Sequence, residues 1–264
     1  MNNLKMPVVF AGHGSPMLAL EDTTITRNLA ALGGMIAEEF SRPKAILAIS
    51  GHWFTDGTYV QSAEVPEQIY DMYGFPPELY AVKYPVKGSR ELTERVLQLL
   101  GSQASISDHW GIDHGTWTPL IHMFPDADIP VVQLSVNQNL TPRQSYELGM
   151  RLQPLREEGF LIFGSGNVVH NLYQINPMLR ESGTPQTIRF TQFINETILK
   201  NEHESLIEFI RHPDAAYAAP TPDHFYPLLY CAGAGQNEPV TLFNDVYRSG
   251  SIALSSYVFG MVQV

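Results

Sequence analysis

Five of the nine histidines in this 264-residue chain fall among Gly, Ser, Asn, Asp or Pro rather than inside periodic segments. They are His13 in Gly12-His13-Gly14-Ser15-Pro16, His52 in Gly51-His52-Trp53, His114 in Asp113-His114-Gly115, His170 in Asn167-Val168-Val169-His170-Asn171, and His224 in Pro222-Asp223-His224. Neutral imidazole is the commonest ligand of divalent first-row metals, and its pKa also suits proton transfer near neutrality. Three imidazoles suit zinc; two with a carboxylate and open positions suit non-haem Fe(II) and oxygen chemistry. An imidazole left off the metal is free to move protons. The single cysteine, Cys231, leaves imidazole to hold any metal and excludes a disulfide framework.

For one loop histidine taken alone, a hydrogen bond to backbone is the commonplace alternative. His13, His52 and His170 carry more weight, because each lies just past the carboxyl end of a predicted strand and beside glycine. At that edge of an open α/β sheet the loops converge and ligands bind. The other four are expected to be bland. His203 and His212 are expected to be exposed, His122 to lie on a helix surface, and His109 beside Trp110 to be structural.

The elements that must position these residues alternate between strand-type and helix-type runs. Apolar runs at Val8–Ala11, Ala45–Ser50, Val131–Ser135 and Phe160–Ser165 read as strands covered on both faces. Helical spacing covers Thr24–Phe40 after Asp22 or Thr23, and Leu92–Leu100 after Ser89. Thr141-Pro142-Arg143-Gln144 combines a capping threonine, a first-turn proline and a capping-box glutamine, with Gly159 expected to end that helix. One or two further helices are expected over 187–210, a strand over Ile252–Val262, and a long ordered loop over Ser62–Gly88. The pattern predicts one α/β domain over residues 1–264, a central mostly parallel sheet flanked by helices, with the active site at the C-terminal ends of the strands.

Several competing functions fail on the residues. The net charge of −11 argues against nucleic acid or an anionic membrane as partner. No apolar run approaches the roughly 18 residues of a membrane span, and the N-terminus has no signal-peptide pattern, so a cytoplasmic protein is expected. Gly12-x-Gly14 and Gly164-x-Gly166 lack the third glycine of a dinucleotide fingerprint, and no Gly-x-Ser-x-Gly elbow occurs. His203-Glu204 lacks the second histidine of a zinc-protease helix, and Cys231 is expected to be packed rather than nucleophilic. Aromatic residues beside the histidines (Trp53, Phe54, Trp117, Phe225, Tyr226 and Tyr230) suit a planar aromatic ligand.

The five histidine motifs, with Ser165-Gly166-Asn167 and Phe225-Tyr226-Pro227-Leu228-Leu229 extending two of them, occur in order along essentially the whole chain. Together they resemble the class III extradiol ring-cleavage dioxygenases, in particular the 4,5-DOPA extradiol dioxygenase branch. The resemblance implies an α/β fold and one divalent metal per chain, Fe(II) for ring cleavage or Zn(II) as bound. It matches His13 and His52 to metal ligands. His224 stands where more distant members carry a glutamate, a departure from the two-histidine, one-carboxylate set. His170 matches the active-site base and is also placed to act as a fourth ligand; His114 matches a second catalytic histidine. The implied partners are a small aromatic diol and O2, with L-DOPA converted to 4,5-seco-DOPA, and oligomeric state is left open. A zinc-dependent hydrolase built on the same histidines is the alternative.

Overall fold

The computed structural model describes residues 5–262. In chain order the strands are β1 (Val8–Gly12), β2 (Ile46–Thr55), β3 (Thr58–Val60), β4 (Ala104–Ile106), β5 (Val131–Asn137), β6 (Leu161–Gly166), β7 (Val169–His170), β8 (Val240–Phe243), β9 (Tyr247–Arg248), β10 (Ile252–Ala253) and β11 (Ser256–Phe259). The helices are α1 (Thr24–Glu39), α2 (Pro77–Ala81), α3 (Arg90–Leu100), α4 (His114–Met123), α5 (Pro142–Leu152), α6 (Pro154–Glu157), α7 (Pro185–Leu199), α8 (His203–Ile207), α9 (Ala215–Ala218) and α10 (Tyr226–Ala234).

Eight strands form one sheet in the order β4-β3-β5-β2-β6-β1-β11-β8. Its centre, β5-β2-β6-β1, is parallel, as expected for apolar strands joined by helical crossovers. Side chains alternate along each strand, so β1 sends Val8 and Phe10 into one core and Val9 and Ala11 into another. The first core is closed by residues of α3, α5, α7 and α10, the second by α1 and α4. Register aligns Ala11, Ser165, Ser50 and Ser135 in one row, one residue before β1 and β6 end and where β2 reaches its bulge. The histidine loops leave from that edge. A second sheet, β7-β10-β9, stands beside it, with His170 opposite Ile252 and Ile252 opposite Arg248.

The helix starts follow the capping chemistry. Ser89 Oγ accepts from Leu92 N at 3.3 Å, while Thr141 Oγ1 accepts from Gln144 N and Gln144 Oε1 accepts from Thr141 N at 2.9 Å. Four boundaries differ from expectation. Pro154 has no N–H to continue the Thr141 helix, so α5 stops at Leu152 and Gly159, at φ +90°, closes α6 instead. The 252–262 run divides because β10 pairs with β7 while β11 pairs with β1. A bulge between Ser50 and Phe54 carries β2 on to Thr55, so His52 lies inside a strand rather than after one. The 62–88 loop contains the single-turn helix α2.

Helices α5 and α10 approach so closely that only glycine fits at the contact. A Cβ on Gly233 would lie 2.0 Å from Tyr146 O, and one on Gly149 would lie 2.1 Å from Tyr230 O. Gly233→Ala is therefore expected to cost about 1–3 kcal/mol of stability. Urea unfolding reads this directly, and an unchanged midpoint would contradict the packing.

Candidate active site

All five loop histidines meet in one cavity at the carboxyl edge of the parallel strands. It measures about 940 Å³. His13 follows β1 and its backbone N–H donates to Gly166 O at 3.1 Å. His52 comes from the bulged end of β2, and His114 opens α4 with Asp113 as its cap. His170 lies on β7, and His224 occupies the turn before α10. The His224 turn can drop onto β6 because position 166 is glycine, where a Cβ would sit 2.0 Å from His224 O. Asn167 N donates to that same carbonyl at 2.9 Å.

The rings of His13, His52 and His224 form a nearly equilateral triangle, with centres 5.0, 5.2 and 4.8 Å apart. Two of the three rings, those of His13 and His224, are held by Nδ1 hydrogen bonds. Ser165 Oγ donates its own proton to Gly115 O, so at 2.9 Å it accepts from His13 Nδ1–H, leaving His13 Nε2 as the lone-pair nitrogen. His224 Nδ1 donates to Asp223, and His52 Nδ1 lies 3.2 Å from Asp71 Oδ2. The Nε2 atoms of His13 and His52 face each other at 3.1 Å, and His224 Nε2 is buried with no hydrogen-bond partner. A buried, orphaned imidazole nitrogen is costly unless something binds it. Nδ1 anchoring with Nε2 turned inward is the arrangement that orients metal-ligating histidines. The residues fit a divalent metal.

His114 and His170 complete the cluster. His114 N and Nδ1 both donate to Asp71 Oδ1, at 2.9 and 3.0 Å, and its ring centre is 4.0 Å from that of His52. His170 stacks on His224 at 3.6 Å with the planes 10° apart. Two sets of donors lie within 4.8 Å of one another, His13 with His52 and His114, and His170 with Asp223 and His224. Asp223 is committed to His224 Nδ1, which reduces the second set to its two imidazoles.

Electrostatics keep the rings of His13, His52 and His170 uncharged. Burial holds His13 and His52 well below the usual histidine range, and the neighbouring His224 and His114 add to the effect. His170 is pushed down to about 3 by burial and then by His224, with Asp223 pulling the other way. Burial works to raise the Asp223 carboxyl, but the His224 hydrogen bond and charge outweigh it and hold it at about 2. A neutral imidazole is the protonation state that metal binding requires, and burial supplies it at His13 and His52.

Asp71 is the functional residue that sequence reasoning missed. It sits in the aperiodic 62–88 loop, with no motif around it, yet its Oδ1 orients His114 and its Oδ2 lies 3.2 Å from His52 Nδ1. Asp71→Asn, which removes the charge and can offer a donor in place of an acceptor, is expected to lower metal affinity or turnover by about 10–100-fold. Metal titration beside steady-state turnover measures this, and a wild-type result on both would remove Asp71 from the site.

The remaining histidines stay out of the cavity. His109 is exposed, and His122 Nε2 lies 2.8 Å from Leu18 O as a structural contact. His203 and His212 are half-buried rather than exposed, because His203 packs near Tyr146 and His212 stacks on Phe193. Cys231 is buried, and burial pushes its thiol pKa up, which makes it a packed side chain and no nucleophile.

Among the described residues, no helix is long and apolar enough to cross a membrane. Residues 7–260 match the family described as the catalytic LigB subunit of aromatic ring-opening dioxygenase. The chain is 40% identical over 267 residues to a 4,5-DOPA dioxygenase extradiol of Escherichia coli K12, covering 98% of this chain and 97% of the relative. A 4,5-DOPA dioxygenase extradiol of Beta vulgaris is 37% identical, with 95% of each chain covered. The dioxygenase tasH of Hapsidospora irregularis is 31% identical over 96% of this chain and 85% of its own. A crystal structure of the uncharacterised Escherichia coli K12 protein JW3007 superposes with a TM-score of 0.84 at 36% identity, covering 97% of this chain and all of that one. Between the oxygenase and the hydrolase that the histidines alone allow, these relatives decide for the oxygenase. With its histidine cluster at the carboxyl edge of a mostly parallel sheet, the chain belongs to the LigB family of aromatic ring-opening dioxygenases.

Proposed function

We propose that this enzyme cleaves the ring of a catechol beside its diol, that L-DOPA is a substrate giving 4,5-seco-DOPA, and that His13, His52 and His224 hold the metal. The observation that carries the reading is the triangle of imidazoles with the Nδ1 atoms of His13 and His224 hydrogen-bonded and His224 Nε2 buried without a partner. Fe(II) is the metal this chemistry calls for, and held by these three histidines it would supply the redox capacity that ring opening by dioxygen needs. Three neutral nitrogens and no carboxylate make the set equally able to take Zn(II), which lacks that redox capacity.

The chain's own residues handle the protons. Among the described residues no side chain hydrogen-bonds the His170 imidazole, and burial keeps it in the neutral form, with a lone-pair nitrogen open to a phenolic proton of the diol. Stacking on His224 fixes the orientation of its ring. His114, with Nδ1 held by Asp71, presents Nε2 as the second proton-handling group. Leu18, Ile25, Ile252 and Leu254 line the same cavity and limit water around the reacting ring. The reaction balances as catechol plus O2 giving one ring-opened semialdehyde acid, with no external reductant. The lone buried thiol of Cys231 suits a reducing, cytoplasmic setting.

The test is anaerobic loading of stripped protein with Fe(II), then air and a panel of catechols that includes L-DOPA. Yellow semialdehyde absorbance is expected with L-DOPA. Cleavage of other catechols but not L-DOPA would overturn the substrate, and no product from any catechol would overturn the reaction.

A further inference from the structure

The cavity carries one basic side chain other than histidine among the described residues, and its position is set by the small sheet. Arg248 on β9 lies directly opposite Ile252 on β10, and Ile252 lies directly opposite His170 on β7. Directly opposite residues in antiparallel strands project from the same face, and all three side chains line the cavity. Strand spacing of about 4.8 Å puts the His170 and Arg248 backbones roughly 10 Å apart. The guanidinium and the His170 imidazole thus face the same cavity from strands two apart, so that one ligand carrying both a diol and an acid can meet both.

Arg248 is also available to a ligand. Among the described residues its guanidinium has one partner, with NH1 3.2 Å from Glu181 Oε1. The Arg248 side chain is 31% exposed while that of Glu181 is 80% exposed, so this ion pair is weak and easily exchanged. A carboxylate entering the cavity would meet the same planar fork in a drier setting, walled by Ile252, Leu254 and Ile175.

We infer that Arg248 is a specificity-determining residue that binds a carboxylate on the side chain of the catechol, selecting aromatic diol acids over uncharged catechols. The inference rests on the ring-cleavage reading for the diol end of the ligand, and extends it to the opposite end. Arg248 takes no part in the chemistry; it sets where the ring lies relative to His170.

The experiment compares dihydrocaffeate, which carries the acid, with methylcatechol, which does not. Affinities are read by calorimetry on zinc-loaded protein, where no turnover interferes, and KM on iron-loaded protein. Arg248→Gln is expected to weaken dihydrocaffeate by about 10–100-fold, the loss of a charge-assisted pair, and to leave methylcatechol within about twofold. Arg248→Lys is expected to restore part of the loss. Glu181→Gln separates recognition from local support: if Arg248 serves the ligand, freeing it keeps or tightens dihydrocaffeate binding, whereas a structural ion pair would make Glu181→Gln copy Arg248→Gln. Equal losses for both ligands, or none for dihydrocaffeate, would overturn the inference. Selective loss of binding in a protein that cleaves no catechol would instead overturn the ring-cleavage reading and leave the Arg248 site standing.

Discussion

His224→Ala is expected to strip the metal from the protein and take ring cleavage with it. His224 is the corner of the imidazole triangle whose Nε2 has nothing else to bind, and its Nδ1 is already committed to Asp223. Its backbone is held independently by Asn167 N on the His224 carbonyl and by the close seat over Gly166. The substitution should therefore leave the turn in place while removing one of the three proposed ligands. Losing an outer partner of a metal ligand costs about 10–100-fold in affinity, so losing the ligand itself should exceed the upper figure. Elemental analysis of protein dialysed against limiting metal, together with a thermal melt, separates loss of metal from loss of fold. Full metal occupancy in the variant would remove His224 from the ligand set.

The second large effect belongs to His170, and it should have the opposite signature. His170→Gln is expected to lower turnover by about 100- to 10,000-fold, the usual worth of a positioned general base, while metal content and catechol affinity persist. The glutamine keeps a polar side chain near His224 but cannot take up a proton. Because His170 stacks on His224 at 3.6 Å, it is also close enough to become a fourth ligand. Loss of metal in step with loss of activity would identify it as a ligand, and near-normal turnover would end its role as base. Metal analysis and single-turnover kinetics on the same preparation decide among these outcomes.

The parts of this site that were legible in the sequence are those with local signatures. His13 stands between glycines just past β1, and His52 and His224 stand in the Gly51-His52 and Pro222-Asp223-His224 motifs, while apolar runs with caps mark the neighbouring elements without tertiary information. Two kinds of feature lay beyond that reach. Asp71 has no local pattern, since its role arises only when the 62–88 loop folds across His52 and His114. The extension of β2 through His52 depends on a bulge against β5, a pairing decision made between strands distant in sequence. Likewise, the split of the 252–262 run reflects competition between two sheets, because Ile252 pairs with His170 while Tyr257 pairs with Phe10. His212 shows the same limit on a smaller scale: its flanking residues are polar or turn-forming, but Phe193 supplies a stacking partner from another helix.

The most direct test of a metal-dependent ring-opening dioxygenase at this histidine cluster is the fate of isotopically labelled dioxygen. Iron-loaded protein given L-DOPA under labelled O2 is expected to consume one O2 per product and to place both labelled atoms in the ring-opened semialdehyde acid, with the aldehyde trapped before it exchanges with water. Product formed without oxygen uptake, or carrying oxygen drawn only from water, would contradict the account.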